Sequence, residues 1–296
     1  MLHVVDWNGV SRILANMNSS LGVNCKDHPV LMTEAALTSR PQRYKLAQLL
    51  FEESQHPAVL FANQGLLSLY ASGTTTGVVV DIGDGVTQTC PTFEGYTIRD
   101  AVRRIDFGGR DVTEYLRSLL RQYGMFFDTS AEVDIVRLIK EQRCQVASSA
   151  KEVSAKVIKH KLPDGSEISL GNELSQATEV LFNPALTGRE HGGVSAIAAE
   201  SIRLTDIDLR REIFQNVVLA GGSTLATNFP SRFLQELTKT TPKDCKVRIV
   251  APAERLNTCW IGGSFLSQLS TFKQMLVKKS EYQEEGENVV HARLFC

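Results

Sequence analysis

The chain has 296 residues, of which 43% are hydrophobic and 22% charged, and its formal net charge is −1. This length and balance supply the core of two domains or of one large bilobal unit. The near-neutral charge gives no electrostatic case for nucleic acid or an anionic membrane, and no apolar run approaches the ~18 residues of a membrane helix.

In chain order, Asp6 caps a helix that runs to about Met17, and Pro29 to Thr33 is strand-like. Pro41 starts a helix through Glu53, with Leu46, Leu49, Leu50 and Phe51 as its apolar face. A short strand, Ala58–Phe61, precedes an apolar helix, Gln64–Ala71, that Gly73 ends. Then comes TTTGVVVDIGDGVTQT, residues 74–89. Its β-branched run Val78-Val79-Val80 ends in Asp81, Gly83-Asp84-Gly85 reverses the chain, and Val86 to Thr89 restarts an extended pattern. Glycines let a backbone approach a ligand closely, and successive N–H groups in such a turn make an anion nest. An ordinary surface hairpin has the same pattern.

Ile98 to Phe107 is extended, and Gly109–Gln122 is an amphipathic helix carrying Val112, Tyr115, Leu116 and Leu119 on one face. Ser130 caps a helix through Gln142, near the acidic Glu132. Pro163-Asp164-Gly165 is a hairpin turn, and residues 192–214 are mostly helical. NVVLAGGSTL, residues 216–225, repeats the earlier idea: an apolar strand, the pair Gly221-Gly222, then Ser223-Thr224 opening a helix. Two such loops far apart in one chain suggest two domains facing each other across a nucleotide. Helices Phe229–Lys239 and Leu256–Gln268 flank the strand Lys246–Val250, and the acidic stretch Glu281–Glu287 reads as solvated.

Other chemistries find little support. The cysteines (Cys25, Cys90, Cys144, Cys245, Cys259, Cys296) form no C-x-x-C pair and read as reduced thiols. The histidines (His3, His28, His56, His160, His191, His291) show no metal-ligand spacing, and no G-x-S-x-G elbow occurs. No basic segment leads into an apolar one at the front, as a secretory signal would require.

These segments resemble the actin and actin-related family. DIGDGVTQT is similar to the family's second phosphate loop and VVLAGGSTL to its adenosine motif. The likeness continues in family order through HPVLMTEAAL (28–37), QGLLSLYASG (64–73), GGRDVTEYL (108–116), IVRLIKEQRC (135–144), LPDGSEISLGNE (162–173) and WIGGSFLSQLSTF (260–272). TPKDCKVRI (241–249) and AGGSTL are similar to the centractin branch, which supplies the dynactin filament. The resemblance implies an α/β, actin-like bilobal fold, a plan that sugar kinases share, with the first lobe incomplete. Trp7 falls in the family's Gly-x-x-x-x-Trp-Asp region. The opening strands, the first phosphate loop with its lysine and the small inserted subdomain therefore have no counterpart ahead of it. The implied division is residues 1–71 plus 258–296, residues 72–107 plus 190–257, and an insertion at 108–189.

The resemblance also assigns roles. Asp81 lies near the metal and the attacking water, and Gln64 orients that water. Gly83, Asp84, Gly85 and Val86 form the phosphate loop, with Gly109 near the nucleotide. Asp111 is placed to cap the helix that follows Gly109. Lys140 and Glu141 flank adenine and ribose, a pair that would look the same as a solvated helix pair. Gly221, Gly222 and Ser223 hold the other side of the nucleoside. An apolar cleft between Tyr70, Ala71, Gly73 and the helix around Phe265, Leu266, Leu269 is the expected partner surface.

Three positions depart from the pattern: Gln88 replaces a histidine near the hydrolytic water, Ala226 a bulky residue beside the base, and Leu256 a polar residue beside adenine. With the lysine loop also missing, binding of ATP with Mg2+ is expected to be weak or absent. The leading expectation is an actin-related cytoskeletal protein of the cytoplasm that acts by protein contacts, as a filament or dynactin-like subunit. The alternatives are an active actin-like ATPase whose first loop lies upstream, and a sugar-kinase relative, against which the WIGGS and YASG segments count.

Overall fold

Asp6 accepts a hydrogen bond from Gly9 N at 2.8 Å and so starts helix α1 (Trp7–Leu21), which Gly22 ends in a left-handed conformation at φ 65. A computed structural model describes residues 4–149, 157–243 and 245–295. His3, Asp244 of the TPKDCKVRI segment, and Cys296 lie outside the described residues.

Strand β1 (Val30–Glu34) leads to helix α2 (Arg40–Gln48), which continues as a π turn to Glu53, and then to β2 (Ala58–Asn63) and α3 (Gln64–Ala71). β1 and β2 are parallel, with Val30 opposite Val59. Leu50, Phe51, Val59 and Phe61 pack with Val289 and Val290 into one core. Glu34, at the end of β1, holds Arg43 of α2 in a buried two-pronged ion pair with contacts of 2.5 and 2.7 Å.

The chain then forms β3 (Gly77–Ile82), β4 (Thr87–Phe93), β5 (Tyr96–Thr97) and β6 (Arg103–Ile105). The expected extended stretch Ile98–Phe107 is broken by a 3-10 turn at Arg99–Ala101, so only Arg103–Ile105 pairs with β4. Helices α4 (Gly109–Gln122) and α5 (Ser130–Arg143) follow. The cap of α5 is Thr129, one residue before the expected Ser130, because Thr129 and Glu132 bond each other's backbone N–H groups reciprocally.

A hairpin of β7 (Ile158–Lys161) and β8 (Glu167–Leu170) turns at Pro163-Asp164-Gly165 and leads to α6 (Glu173–Glu179), α7 (Val194–Arg203) and α8 (Ile207–Phe214). Strand β9 (Val217–Ala220), helix α9 (Phe229–Thr240) and β10 (Ile249–Val250) complete the larger sheet. Only Ile249 and Val250 register with β9, so the expected strand from Lys246 is shorter. Ser223-Thr224 open a 3-10 turn, Gly222–Leu225, and not an α-helix, which begins at Phe229.

Helices α10 (Thr258–Ser267) and α11 (Phe272–Met275), strand β11 (Val277–Lys278), and helices α12 (Lys279–Glu285) and α13 (Glu287–Ala292) end the described chain. β11 adds to β2 antiparallel, giving a sheet ordered β1-β2-β11. The acidic stretch read as solvated is therefore helical and partly packed: Tyr282 is buried and stacks on Phe51 at 4.5 Å, and Glu281 pairs with Arg293 at 2.7 Å.

The larger sheet runs β10-β9-β3-β4-β5. β3 is covered on both faces, which explains its continuous apolar run. Val78, Val80 and Ile82 enter the main core with Leu116, Leu219, Phe229 and Phe233. Val79 faces the other way, into a cluster with Leu69 of α3 and Val218 of β9. By strand alternation Asp81 shares that second face. α10 lies so close to α3 that a Cβ on Gly262 would sit 1.8 Å from Leu67 O. The whole is the α/β actin-like bilobal architecture that the motifs imply.

Candidate nucleotide site

β3 and β9 are parallel neighbours, with Asp81 opposite Ala220. Both glycine loops therefore leave the same end of one sheet, side by side. They do not come from two facing domains, as the sequence pattern suggested. Ser223 Oγ donates to Gly83 O at 2.8 Å and ties the two loops together. Gly221 has φ 85, and a Cβ there would lie 2.4 Å from Ile82 O and 2.5 Å from Asp81 Oδ1. Only glycine fits that approach.

Helix α4 closes on the first loop. Gly109 N donates to Gly83 O at 2.9 Å and Arg110 N to Asp84 O at 2.7 Å. Asp111 accepts from Gly108 N at 2.9 Å, as a helix-capping carboxylate should. Lys140 reaches across from α5 and donates from Nζ to Gly109 O at 3.0 Å. Burial holds its ammonium below the ordinary lysine range, against the pull of Asp84 and Glu141.

These elements enclose a cavity of ≈ 570 Å³, within the range of small-molecule sites. Of the expected site residues, Gln64, Asp81, Gly83, Asp84, Gly109, Lys140, Glu141, Gly221, Gly222 and Ser223 all line it. Gly85 and Val86 do not; Val86 closes the turn by accepting from Gly83 N at 2.9 Å. The backbone N–H groups of Asp84, Gly222 and Ser223 make no hydrogen bond among the described residues. Donors left free around a cavity form a cradle for an anion.

The floor carries the polar side chains. Gln88 lies opposite Asp81 in the β3–β4 register and donates to its Oδ2 at 2.9 Å. It also donates to Gln64 Oε1 at 3.2 Å, and its own Oε1 accepts from Ala36 N at 2.7 Å. Burial pushes the Asp81 carboxyl above its ordinary value, with the Gln88 hydrogen bond opposing. Burial, with Asp81 nearby, pushes the Cys259 thiol up to about 11.

Sequence reading missed Arg255, Thr178 and Cys144 among the lining residues. Arg255 donates to Thr224 Oγ1 at 3.1 Å and O at 3.1 Å, which braces the second loop. Arg255 falls in the turn five residues beyond β10, where no local pattern marked it. The far end of the cavity is apolar, lined by Leu181, Leu225, Ala226 and Leu256.

The expected partner surface needs one correction. Phe265 and Leu269 are 55% and 51% exposed, and Gly73 is exposed, but Leu266 is 1% exposed and packs in the core with Leu60, Leu67 and Phe272. Leu266 therefore cannot meet a partner directly. Tyr70 and Ala71 are half-buried, and the Tyr70 ring lies 6.0 Å from Phe295. No described helix is long and apolar enough to cross a membrane.

A mixed sheet with adjacent strands ending in glycine turns over one cavity, joined to a second, smaller sheet through α3 and α10, defines the bilobal actin-like class. Comparison of sequences makes the family specific. The actin family profile matches residues 3–295. An "Actin-like protein" of Neurospora crassa is 44% identical over 301 residues, spanning 98% of this chain and 79% of that relative. The chain belongs to the actin family.

Proposed function

We propose that the cavity is a nucleotide site for ATP with Mg2+, in an actin-related cytoskeletal protein that works through contacts with other proteins, as a filament or dynactin-like subunit. The observation that carries the nucleotide reading is the set of free N–H groups on Asp84, Gly222 and Ser223 around one cavity. They suit phosphate and polar nucleoside atoms. In this reading the first loop takes the phosphates, and Gly221, Gly222 and Ser223 take the nucleoside with Lys140 and Glu141.

The donor set suits Mg2+ and not a cage-bound metal. No group of three or more His, Cys, Asp or Glu side chains among the described residues could hold an ion. Asp81 offers carboxylate oxygens at the floor, and Mg2+ characteristically keeps several waters and binds through one or two carboxylates plus substrate phosphates. When bound, the ion would neutralise phosphate charge. The chain's own contributions are the loop N–H groups, the Lys140 cation and the oxygens of Asp81.

The reading extends to the division of the chain. The segments 1–71 and 258–296 share the small sheet, 72–107 and 190–257 share the large one, and 108–189 form an insertion that supplies α4 and α5. Membership of the family supports a cytoplasmic and cytoskeletal setting in this reading.

Calorimetric titration with Mg-ATP tests the site. Weak but measurable binding that drops about a further tenfold or more in Lys140→Ala and Gly222→Val, and loses its Mg2+ dependence in Asp81→Ala, is the expected result. Absence of binding by folded protein, or binding that all three variants leave unchanged, would reject it.

A further inference from the structure

We propose that the open edge of β10 is a docking site for a partner protein's extended segment, one in which acidic and apolar residues alternate and which adds to the larger sheet as a further strand. β10 stands at the end of the order β10-β9-β3-β4-β5. On its inner side Arg248 N donates to Phe214 O at 3.0 Å, and Arg248 O accepts from Val217 N at 3.1 Å. In a parallel ladder the bonds to one neighbour fall on every second residue. Arg248 and Val250 therefore hold β9, and Ile249 turns its own N–H and C=O outward. The backbone groups of Val247 and Ala251, two residues to either side, make no hydrogen bond among the described residues. Donors and acceptors of three residues thus stand in one row, the template on which an extended chain pairs.

The side chains say what that chain must carry. Successive side chains of an extended segment point to opposite faces. Val247, Ile249 and Ala251 pack against the main core, and Val250 packs on the other face, against the cluster of Leu69, Val79 and Val218. By the same alternation Lys246 and Arg248 share the Val250 face, and both are exposed. Neither forms an ion pair with a described residue, and no carboxylate lines the groove of ≈ 670 Å³ along this edge. On the core face the groove is walled by Pro230 and Leu234 of α9, the latter 36% exposed. An added strand meets two cations on one face and apolar side chains of α9 on the other.

The charges also exclude other occupants. Two β10 edges paired about a two-fold axis would bring both copies of Lys246 and Arg248 to one face, and like charges opposed across strands destabilise a sheet. The same cations repel a basic segment and go without a counter-charge over a wholly apolar one. A segment with a carboxylate at every second position turns that barrier into attraction, so the edge selects by charge as well as by backbone pairing. The groove shares no lining residue with the nucleotide cavity, so the inference does not rest on the nucleotide reading.

The probe is a fluorescein-labelled hexapeptide of alternating Glu and Val, titrated with the full chain and read by anisotropy. Two further peptides separate the contributions: one of alternating Lys and Val, and the Glu and Val peptide with its backbone amides N-methylated, which keeps the charge and removes the strand donors. The unmodified Glu and Val peptide is expected to bind about tenfold or more tighter than either. Lys246 and Arg248 are exposed, so the double variant Lys246→Glu, Arg248→Glu should keep the wild-type melting temperature within about 2 °C. It should also invert the preference, with the Lys and Val peptide now the tighter by a similar factor. At saturating peptide, hydrogen exchange at the Val247, Ile249 and Ala251 amides should slow about tenfold or more in wild type. Three results would each overturn the proposal: no binding by folded protein, a charge preference that the double variant leaves unchanged, or those amides exchanging no more slowly with peptide bound. So would a wild-type protein that sediments as a dimer with the three amides already protected, which would assign the edge to a second copy.

Discussion

At the scale of single residues, Asp81 shows a conflict between stability and site. Burial raises its carboxyl above the ordinary range although Gln88 donates to it. The unfolded chain thus ionises this group more readily than the folded one, and the ionised form disfavours the fold. The penalty is present at neutral pH, shrinks as pH falls through the raised folded value, and is gone below the unfolded one. Asp81→Asn should therefore raise the melting temperature of ligand-free protein at pH 7, with the gap to wild type closing near about pH 4. Equal melting temperatures at pH 7 would contradict the burial argument. Asp81 and the glycines were legible in the sequence, because a buried strand ending in a glycine turn is a local pattern. Arg255, Thr178 and Cys144 were not, because only the folded chain brings their separate segments to the cavity wall.

At the scale of elements, the contact between α3 and α10 depends on one glycine. A Cβ on Gly262 would meet Leu67 O, C and Cα at 1.8, 2.5 and 3.0 Å, and backbone cannot swing aside as a side chain can. At Gly263 the nearest atom to such a Cβ is Leu31 Cδ2 at 3.5 Å, an ordinary contact. Gly262→Ala should lower stability in urea unfolding by about 1–3 kcal/mol or more, and Gly263→Ala should be neutral or gain up to about 1 kcal/mol of helix propensity. Equal effects would show that the helices are not closely apposed. Since Ser68 of α3 and Thr258 of α10 line the cavity and lie 3.2 Å apart, the Gly262 change should also weaken nucleotide binding. Helix limits were readable where caps announce them, as at Asp6 and Gly109. Strand limits were less so. Pairing with β9 sets the length of β10, and no residue within Lys246–Val250 records how far that partner extends.

At the scale of the molecule, the actin-like fold was legible because many short segments occur in family order, each consistent with the element it forms. The relation of the two glycine loops was not, since two similar loops look alike whether they sit on one sheet or on two. The same blindness placed Leu266 on the surface beside Phe265. Adjacent residues of a helix point in directions about 100° apart, so one is buried while the other is exposed. The proposed partner face is better tested at Phe265. Phe265→Asp should keep the melting temperature within about 1 °C and abolish co-purification with dynactin filament components, whereas Leu266→Asp, which buries a charge, should prevent folding. Retained co-purification by Phe265→Asp would move the partner surface elsewhere.

The central claim, one nucleotide held by both loops of a single sheet, is tested most directly by a crystal structure with Mg2+ and a non-hydrolysable ATP analogue. The account predicts phosphate oxygens at the Asp84 N–H, Mg2+ within reach of Asp81 directly or through water, and the nucleoside against Gly221, Gly222 and Ser223. A nucleotide found elsewhere on the chain, or this cavity empty at saturating analogue, would contradict it.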